Sequence, residues 1–187
     1  MFGSGNNIME VVQPIRDKEK IEEIKNVLKS QSLRDWFMFV AGINTGLRIS
    51  DLLQLKVSDV KDKTHITIRE RTDKFKRYKI LYPLAEAIEY YTKGMNDNDW
   101  LFPSRKGDKP IGRVQAYRVL NNVGKAVGLE EIGTHTLRKT FGYHFYQQKK
   151  DVALLQEIFN HSAPSITLRY IGINQDVMDN ALDGFGL

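Results

Sequence analysis

Apolar positions recur three and four residues apart early in the chain. In "RDKEKIEEIKNVLKS", Ile21, Ile24, Val27 and Leu28 share one face, which predicts an amphipathic helix with Asp17 as its N-cap. "LRDWFMFVAGINTG" is more uniformly apolar and reads as a buried helix stopped at the Asn44 to Gly46 stretch. "SDLLQLKVSD" opens a further short helix, with Ser50 as the expected cap and Leu52, Leu53 and Leu55 facing inward. The period then shortens to alternation. Ile66 and Ile68 alternate with polar neighbours, "TDK" supplies a turn, and Tyr78, Ile80 and Tyr82 alternate on the return, so "THITIRERTDKFKRYKILYPL" predicts a β-hairpin with a basic tip.

Pro83 ends the second strand, and "LAEAIEYYTKG" returns to helix with Gly94 as its stop. "MNDNDWLFPSRKGDKPIG" is loop-rich, with "WLF" apolar enough for a short third strand. "RVQAYRVLNNVGKAVGL" predicts a helix, "THTLRKTFGYHFYQQKK" another capped by Thr134, and "DVALLQEIF" a third capped by Asp151. Pro164 suits the first turn of one more helix ending near Gly172, and "NQDVMDNAL" forms a last short helix before "DGFGL". The fold class expected is α+β, mainly helical, with a small three-stranded antiparallel sheet. Residues 1–8 read as a disordered or artificially appended start and 9–187 as one domain, because no repeat, low-complexity tract or linker divides the chain.

Composition narrows the function. At 187 residues the chain supports one sizeable core. Its formal net charge of +5 favours a polyanionic partner, with nucleic acid first. The absence of cysteine removes disulfide frameworks, thiolate nucleophiles and cysteine zinc sites together, and suits a reducing compartment. No apolar run reaches the ~18 residues of a membrane span, and no secretory pattern opens the chain.

Four histidines raise the question of a metal. His135 and His144 lie nine positions apart, which at about 100° per residue places them on opposite faces of one helix. There is no HExxH, so no metal site is expected, and His65 and His144 read as surface or packing residues. His135 and Arg138 differ by three positions and share a face. A guanidinium fork matches two phosphate oxygens, and an adjacent imidazole donates to a third or handles a proton. The alternative is a solvated basic face. Arg48 in "TGLRISDLLQL" follows a glycine-bearing turn where a cation is held rigidly, or else caps a helix or pairs with Asp51. In "NHSAPSITLRY", His161 precedes a Pro-marked turn and Tyr170 follows nine residues later, a placement that lets an imidazole and a phenol meet.

These segments resemble the catalytic domain of the tyrosine recombinase, or phage integrase, family, and the match spans nearly the whole chain from "PIRDKEKIEEI" to "RYIGI". Arg48 is similar to the family's first arginine motif, "HTLR" to its His-x-x-Arg box with His135 and Arg138, and His161 and Tyr170 to its closing histidine and nucleophile. "WLFPSRKGDKPI" resembles the stretch that precedes that box.

The resemblance implies an integrase-like fold and site-specific DNA recombination, integrative or excisive. The tyrosine attacks a phosphodiester, forms a 3′-phosphotyrosyl bond, expels a 5′-hydroxyl, and needs neither cofactor, metal nor ATP. Arg48 and Arg138 then stabilise the transition state, His135 takes or organises the phenolic proton, and His161 donates to a phosphate oxygen. A hairpin lysine protonates the leaving oxygen. Arg71 occupies the slot where relatives often carry that lysine, and arginine is a poor acid, so Lys74 is the expected donor, with Arg71, Lys76 and Arg77 contacting DNA. Asn160 stands where the family usually has glycine and Asp51 where it often has glutamate.

The partners implied are double-stranded DNA and other protomers, four in the active complex, in the cytoplasm of a bacterial or phage-infected cell at its nucleoid. Since the family usually carries a separate N-terminal helical domain, a catalytic fragment without it is expected. The competing expectations are a DNA-binding module with an impaired site and a type IB topoisomerase-like activity.

Overall fold

The computed structural model describes residues 12–106, 108–130 and 132–187; the expectation for residues 1–8 lies outside them. The elements are α1 (Lys18–Gln31), α2 (Leu33–Thr45), α3 (Ile49–Leu53), β1 (His65–Arg69), β2 (Phe75–Lys79), α4 (Tyr82–Thr92), α5 (Arg113–Ala126), α6 (Thr136–Lys149), α7 (Val152–Phe159), α8 (Pro164–Tyr170) and α9 (Gln175–Leu182). No helix among the described residues is long and apolar enough to cross a membrane.

Helix α2 is the hub. Trp36 to Gly42 are all buried, because its apolar residues run around the whole helix instead of along one stripe. It packs on α1, α4 and α6. The approach to α6 is close enough that a Cβ on Gly42 would lie 2.5 Å from Leu137 Cδ1. A second, smaller cluster of Leu155, Phe159, Ile171 and Ile173 sits under α7 and α8, with Phe141 and Tyr170 against it. Helix α6 joins the two, contributing Leu137 to the first core and Phe141 to the second. The segment before α1 crosses α6: the Ile15 amide donates to Thr140 Oγ1 at 2.9 Å, and His144 Nε2 donates to the Ile15 carbonyl at 2.9 Å. His144 is thus a satisfied packing residue.

Where α2 stops decides where Arg48 stands. Gly46 takes the left-handed conformation at φ 67, and a Cβ there would lie 2.5 Å from Phe141 Cδ1. Gly46→Ala combines backbone strain of about 1–2 kcal/mol with that clash. A fall of roughly 5–10 °C in the thermal midpoint is expected, read by circular dichroism.

Several sequence expectations are corrected. The sheet has two strands, paired antiparallel with Ile66 opposite Tyr78 and Ile68 opposite Lys76. "WLF" does not form a third; Trp100 makes only an isolated bridge to Lys56, and Pro103 another to Pro110. A proline has no amide hydrogen, and the Lys56 side of the bridge turns at once into a 3₁₀ segment, so no ladder extends. Tyr82 is not the end of β2 but the first residue of α4, 74% exposed. Ser50 lies inside α3, with Arg48 at the N-cap position. Thr134 does not cap α6; Thr136 Oγ1 accepts from the Gly133 amide at 2.9 Å and His135 takes the cap position.

Candidate active site

A strip of polar residues is buried on α6: Thr136, Arg138, Lys139 and Thr140. Long cations are seldom buried unless they are paired. Arg138 is 5% exposed and held on three sides. Nη1 donates to the Gly46 carbonyl at 2.8 Å, Nη2 donates to the Phe159 carbonyl at 2.9 Å, and Cζ lies 4.3 Å from the Phe159 ring centroid. The guanidinium is also within hydrogen-bonding reach of the Tyr170 hydroxyl. Burial lowers its pKa; the phenol of Tyr170 pulls it partly back, and the charge of Arg48 lowers it further.

Arg48 is reached differently. Gly46 turns the chain, Leu47 is buried, and Arg48 begins α3 with its side chain exposed and without a capping hydrogen bond. Among the described residues no ion pair joins it to Asp51; it holds the N-cap position through its backbone carbonyl, and its side chain makes no capping hydrogen bond. It lines a pocket of about 310 Å³ with Ser50, Asp51, Arg71, Tyr78 and Asn160. The fields of Arg48 and Arg138 fall on the same groups: Tyr170, His161, Tyr78 and Lys76. Two guanidiniums from remote parts of the sequence therefore face one region.

Tyr170 ends α8 half-buried, its ring edge-on to Phe159 at 5.5 Å and to His161 at 5.1 Å between centroids. The Lys139 ammonium lies 5.1 Å from its centroid. Burial raises the phenol's pKa, and Arg138 and Arg48 pull it partly back. The hydroxyl is protonated at rest.

His161 stands on the turn between α7 and α8. Its amide donates to the Gln156 carbonyl at 3.0 Å, and its Nδ1 lies 2.9 Å from Oγ1 of the fully buried Thr167. Burial first, then Arg138 and Arg48, lowers its pKa. Asn160, one residue earlier, ends α7 in the left-handed conformation at φ 57, the backbone geometry that glycine adopts without strain.

His135 flanks the cluster at the start of α6, half-buried, its pKa lowered by burial and then by Lys139, Arg113 and Arg138. Arg113, the first residue of α5, carried no motif; its charge reaches His135 from a remote part of the sequence. On the hairpin, Arg71, Lys74 and Arg77 are exposed, while Lys76 faces inward and donates to groups at the end of α7. Arg71 reaches the pocket wall; Lys74 sits on the turn. Thr167 was likewise silent in the sequence, and Asn160 stood out there only as a departure from the family's usual glycine.

The model of the phage integrase family matches residues 16–176. The chain belongs to the phage integrase family. This integrase-family domain is 55% identical over 179 residues to the probable integrase/recombinase YoeC of Bacillus subtilis (strain 168), covering 95% of this chain and 99% of that protein. Among solved structures it superposes on the XerA recombinase with a TM-score of 0.74 at 22% identity, covering 92% of this chain and 63% of that one. It superposes on the XerH site-specific recombinase bound to its difH substrate with a TM-score of 0.70 at 21% identity, covering 92% and 54%. The domain thus spans less than two thirds of either solved chain.

Proposed function

We propose that this integrase-family domain performs site-specific DNA recombination, with Tyr170 as the nucleophile that cuts and rejoins the strand. The supporting observation is the convergence on one phenol of a guanidinium within hydrogen-bonding reach, an imidazole edge, and the field of a second guanidinium.

The Tyr170 oxygen attacks a backbone phosphorus as its proton passes to His135. A phosphotyrosyl bond forms, the bond from phosphorus to the 5′-oxygen breaks, and that oxygen takes a proton from Lys74 on the hairpin turn. Arg48 and Arg138 offset the charge that gathers on the non-bridging oxygens, and their fixed positions leave little to reorganise. The contact between Thr167 Oγ1 and His161 Nδ1 orients the imidazole; with the hydroxyl as donor the ring carries its proton on Nε2, the form that donates to phosphate. The broken bond's energy stays in the phosphotyrosyl linkage, so rejoining draws on no nucleotide hydrolysis. Rejoining to a different strand's 5′-hydroxyl requires a second cleaved site, and hence other protomers on DNA, four in a complete assembly.

Incubation with a nicked suicide substrate, whose short released piece bearing the 5′-hydroxyl diffuses away, tests the reading. A slow-migrating band on a denaturing gel is expected, with retention of DNA that weakens steeply as salt rises. Salt-sensitive retention of the correct site without the band would leave a DNA-binding module instead, and relaxation of unpaired supercoiled DNA would mark a topoisomerase. The two lowered histidine pKa values set the acid limb. Both imidazoles are neutral at pH 7 and remain so below the ordinary value of about 6.5, so adduct formation is expected to hold from pH 7 to 6.5 and to fall only beneath it. A pH–rate profile under single-turnover conditions reads this; a limb centred above 6.5 would contradict it.

A further inference from the structure

Helix α7 ends in a way that couples the hairpin to His161. Where a helix stops, its last carbonyls lack intrahelical donors and the local dipole favours cations. Two cations from outside α7 supply the donors. Arg138 takes the Phe159 carbonyl, and Lys76 Nζ donates to the carbonyls of Glu157 and Ile158, the latter at 2.8 Å. A third hydrogen of Lys76 goes to Asn160 Oδ1 at 2.8 Å, while Asn160 Nδ2 donates to Glu70 Oε1 at 2.7 Å. The hairpin is therefore fastened at two points, from β2 through Lys76 and from its turn through Glu70, to the residue that precedes His161.

Strand alternation explains why Lys76 and not its neighbours does this. Opposite Ile68 and in step with Ile66 and Tyr78, it lies on the inward face; Arg77 points to the opposite, exposed face, and Lys74 precedes β2 on the exposed turn. An ammonium has three donors, and here all three are engaged within the protein, which leaves none for a leaving group in this arrangement. Glycine would fit the left-handed backbone at position 160, but only a side chain such as asparagine's can bridge Lys76 and Glu70.

We propose that Lys76 is a positioning residue acting through Asn160: it locks the β-hairpin to the His161 turn, so that hairpin and imidazole meet the scissile phosphate as one rigid unit. The inference rests on the catalytic reading above, and it assigns the placement of the His161 phosphate clamp to this latch.

Two variants test it. Asn160→Gly keeps the left-handed backbone and removes only the bridge; Lys76→Met removes every contact of the ammonium. Single-turnover cleavage is measured on the suicide substrate and on one whose 5′-bridging oxygen is sulfur, since a thiolate departs without a proton. Misplacement of this kind costs up to about 100-fold. Lys76→Met is expected to cleave about 100-fold and Asn160→Gly about tenfold more slowly, with DNA retention kept, Lys76→Arg partly restoring the rate, and both deficits persisting on the sulfur substrate. The Lys74→Met deficit should vanish on that substrate. In ¹⁵N-labelled protein the His161 amide resonance is expected to move in both latch variants.

Wild-type rates in Asn160→Gly and Lys76→Met overturn the proposal. So does recovery of Lys76→Met on the sulfur substrate, which would make Lys76 the proton donor. If Lys76→Met does not fold, Asn160→Gly decides alone. Should wild type give no adduct, the catalytic reading fails, and the latch then stands or falls with the His161 amide.

Discussion

Tyr170→Phe is expected to eliminate the covalent DNA adduct while leaving the fold and DNA retention intact. The substitution removes one oxygen. The ring keeps its edge-on contacts with Phe159 and His161, and the lost partner of the hydroxyl is Arg138, which retains both carbonyl acceptors. Stability should change by no more than about 1 kcal/mol, the usual worth of one hydrogen bond. Cleavage, by contrast, loses its nucleophile, and a fall of at least ~10³-fold is expected, since removing a covalent nucleophile leaves only binding and charge stabilisation. The informative control is Tyr78→Phe. Tyr78 also feels Arg138 and Arg48 and lines the pocket beside Arg48, with burial raising its pKa. Adduct in Tyr78→Phe and none in Tyr170→Phe, read on one denaturing gel, supports the assignment; the reverse pattern moves the nucleophile to the hairpin.

The second large effect separates the two arginines. Arg138→Ala should cost both rate and stability, whereas Arg48→Ala should cost rate alone. Truncating Arg138 strands the Gly46 and Phe159 carbonyls in a site that is 5% exposed and removes the cation from the Phe159 face. Roughly 2–4 kcal/mol of destabilisation is expected from the unpaired acceptors and the space left behind. Arg48 is exposed and makes no capping hydrogen bond, so its truncation should stay within about 0.5 kcal/mol. Each loss should slow adduct formation by about 10²–10³-fold, the effect of deleting one fixed donor to a developing oxyanion. Arg138→Lys should restore little, because an ammonium cannot serve both carbonyls and the phenol in the planar geometry of the fork. Thermal unfolding beside single-turnover kinetics checks the split. Equal destabilisation in both alanine variants, or an Arg138→Ala protein that cleaves normally, would contradict it.

The elements were largely legible because each carries its own punctuation. Asp17, Gly46, Asp151 and Pro164 all stand where a helix starts or stops, and the alternation of Ile66, Ile68 and Tyr78 marks the hairpin. The misreadings share one cause. "WLF" has the composition of a strand, but strand formation needs a partner edge, and among the described residues it gains an isolated bridge to Lys56 that a 3₁₀ turn cuts short. Ser50 and Thr134 have capping chemistry, yet the backbone placed the helix starts one or two residues away. Among the residues of the candidate site, Arg48, His135, Arg138, His161 and Tyr170 could be proposed from short motifs. Thr167, Arg113 and the inward direction of Lys76 could not, since nothing in their sequence neighbourhood distinguishes them from ordinary packing or surface residues.

By itself the sequence determined the helical register, the hairpin and the identity of the polar groups available, because periodicity, caps and turn residues act over a few positions and need no knowledge of the rest of the chain. Only the tertiary structure decided that Arg138 is anchored by the Gly46 and Phe159 carbonyls, that Arg48 shares its field, and that Lys76 closes the end of α7. Those contacts join residues far apart in the sequence. Their energy depends on burial and on donor direction, quantities that exist only once α2, α6 and α7 have packed.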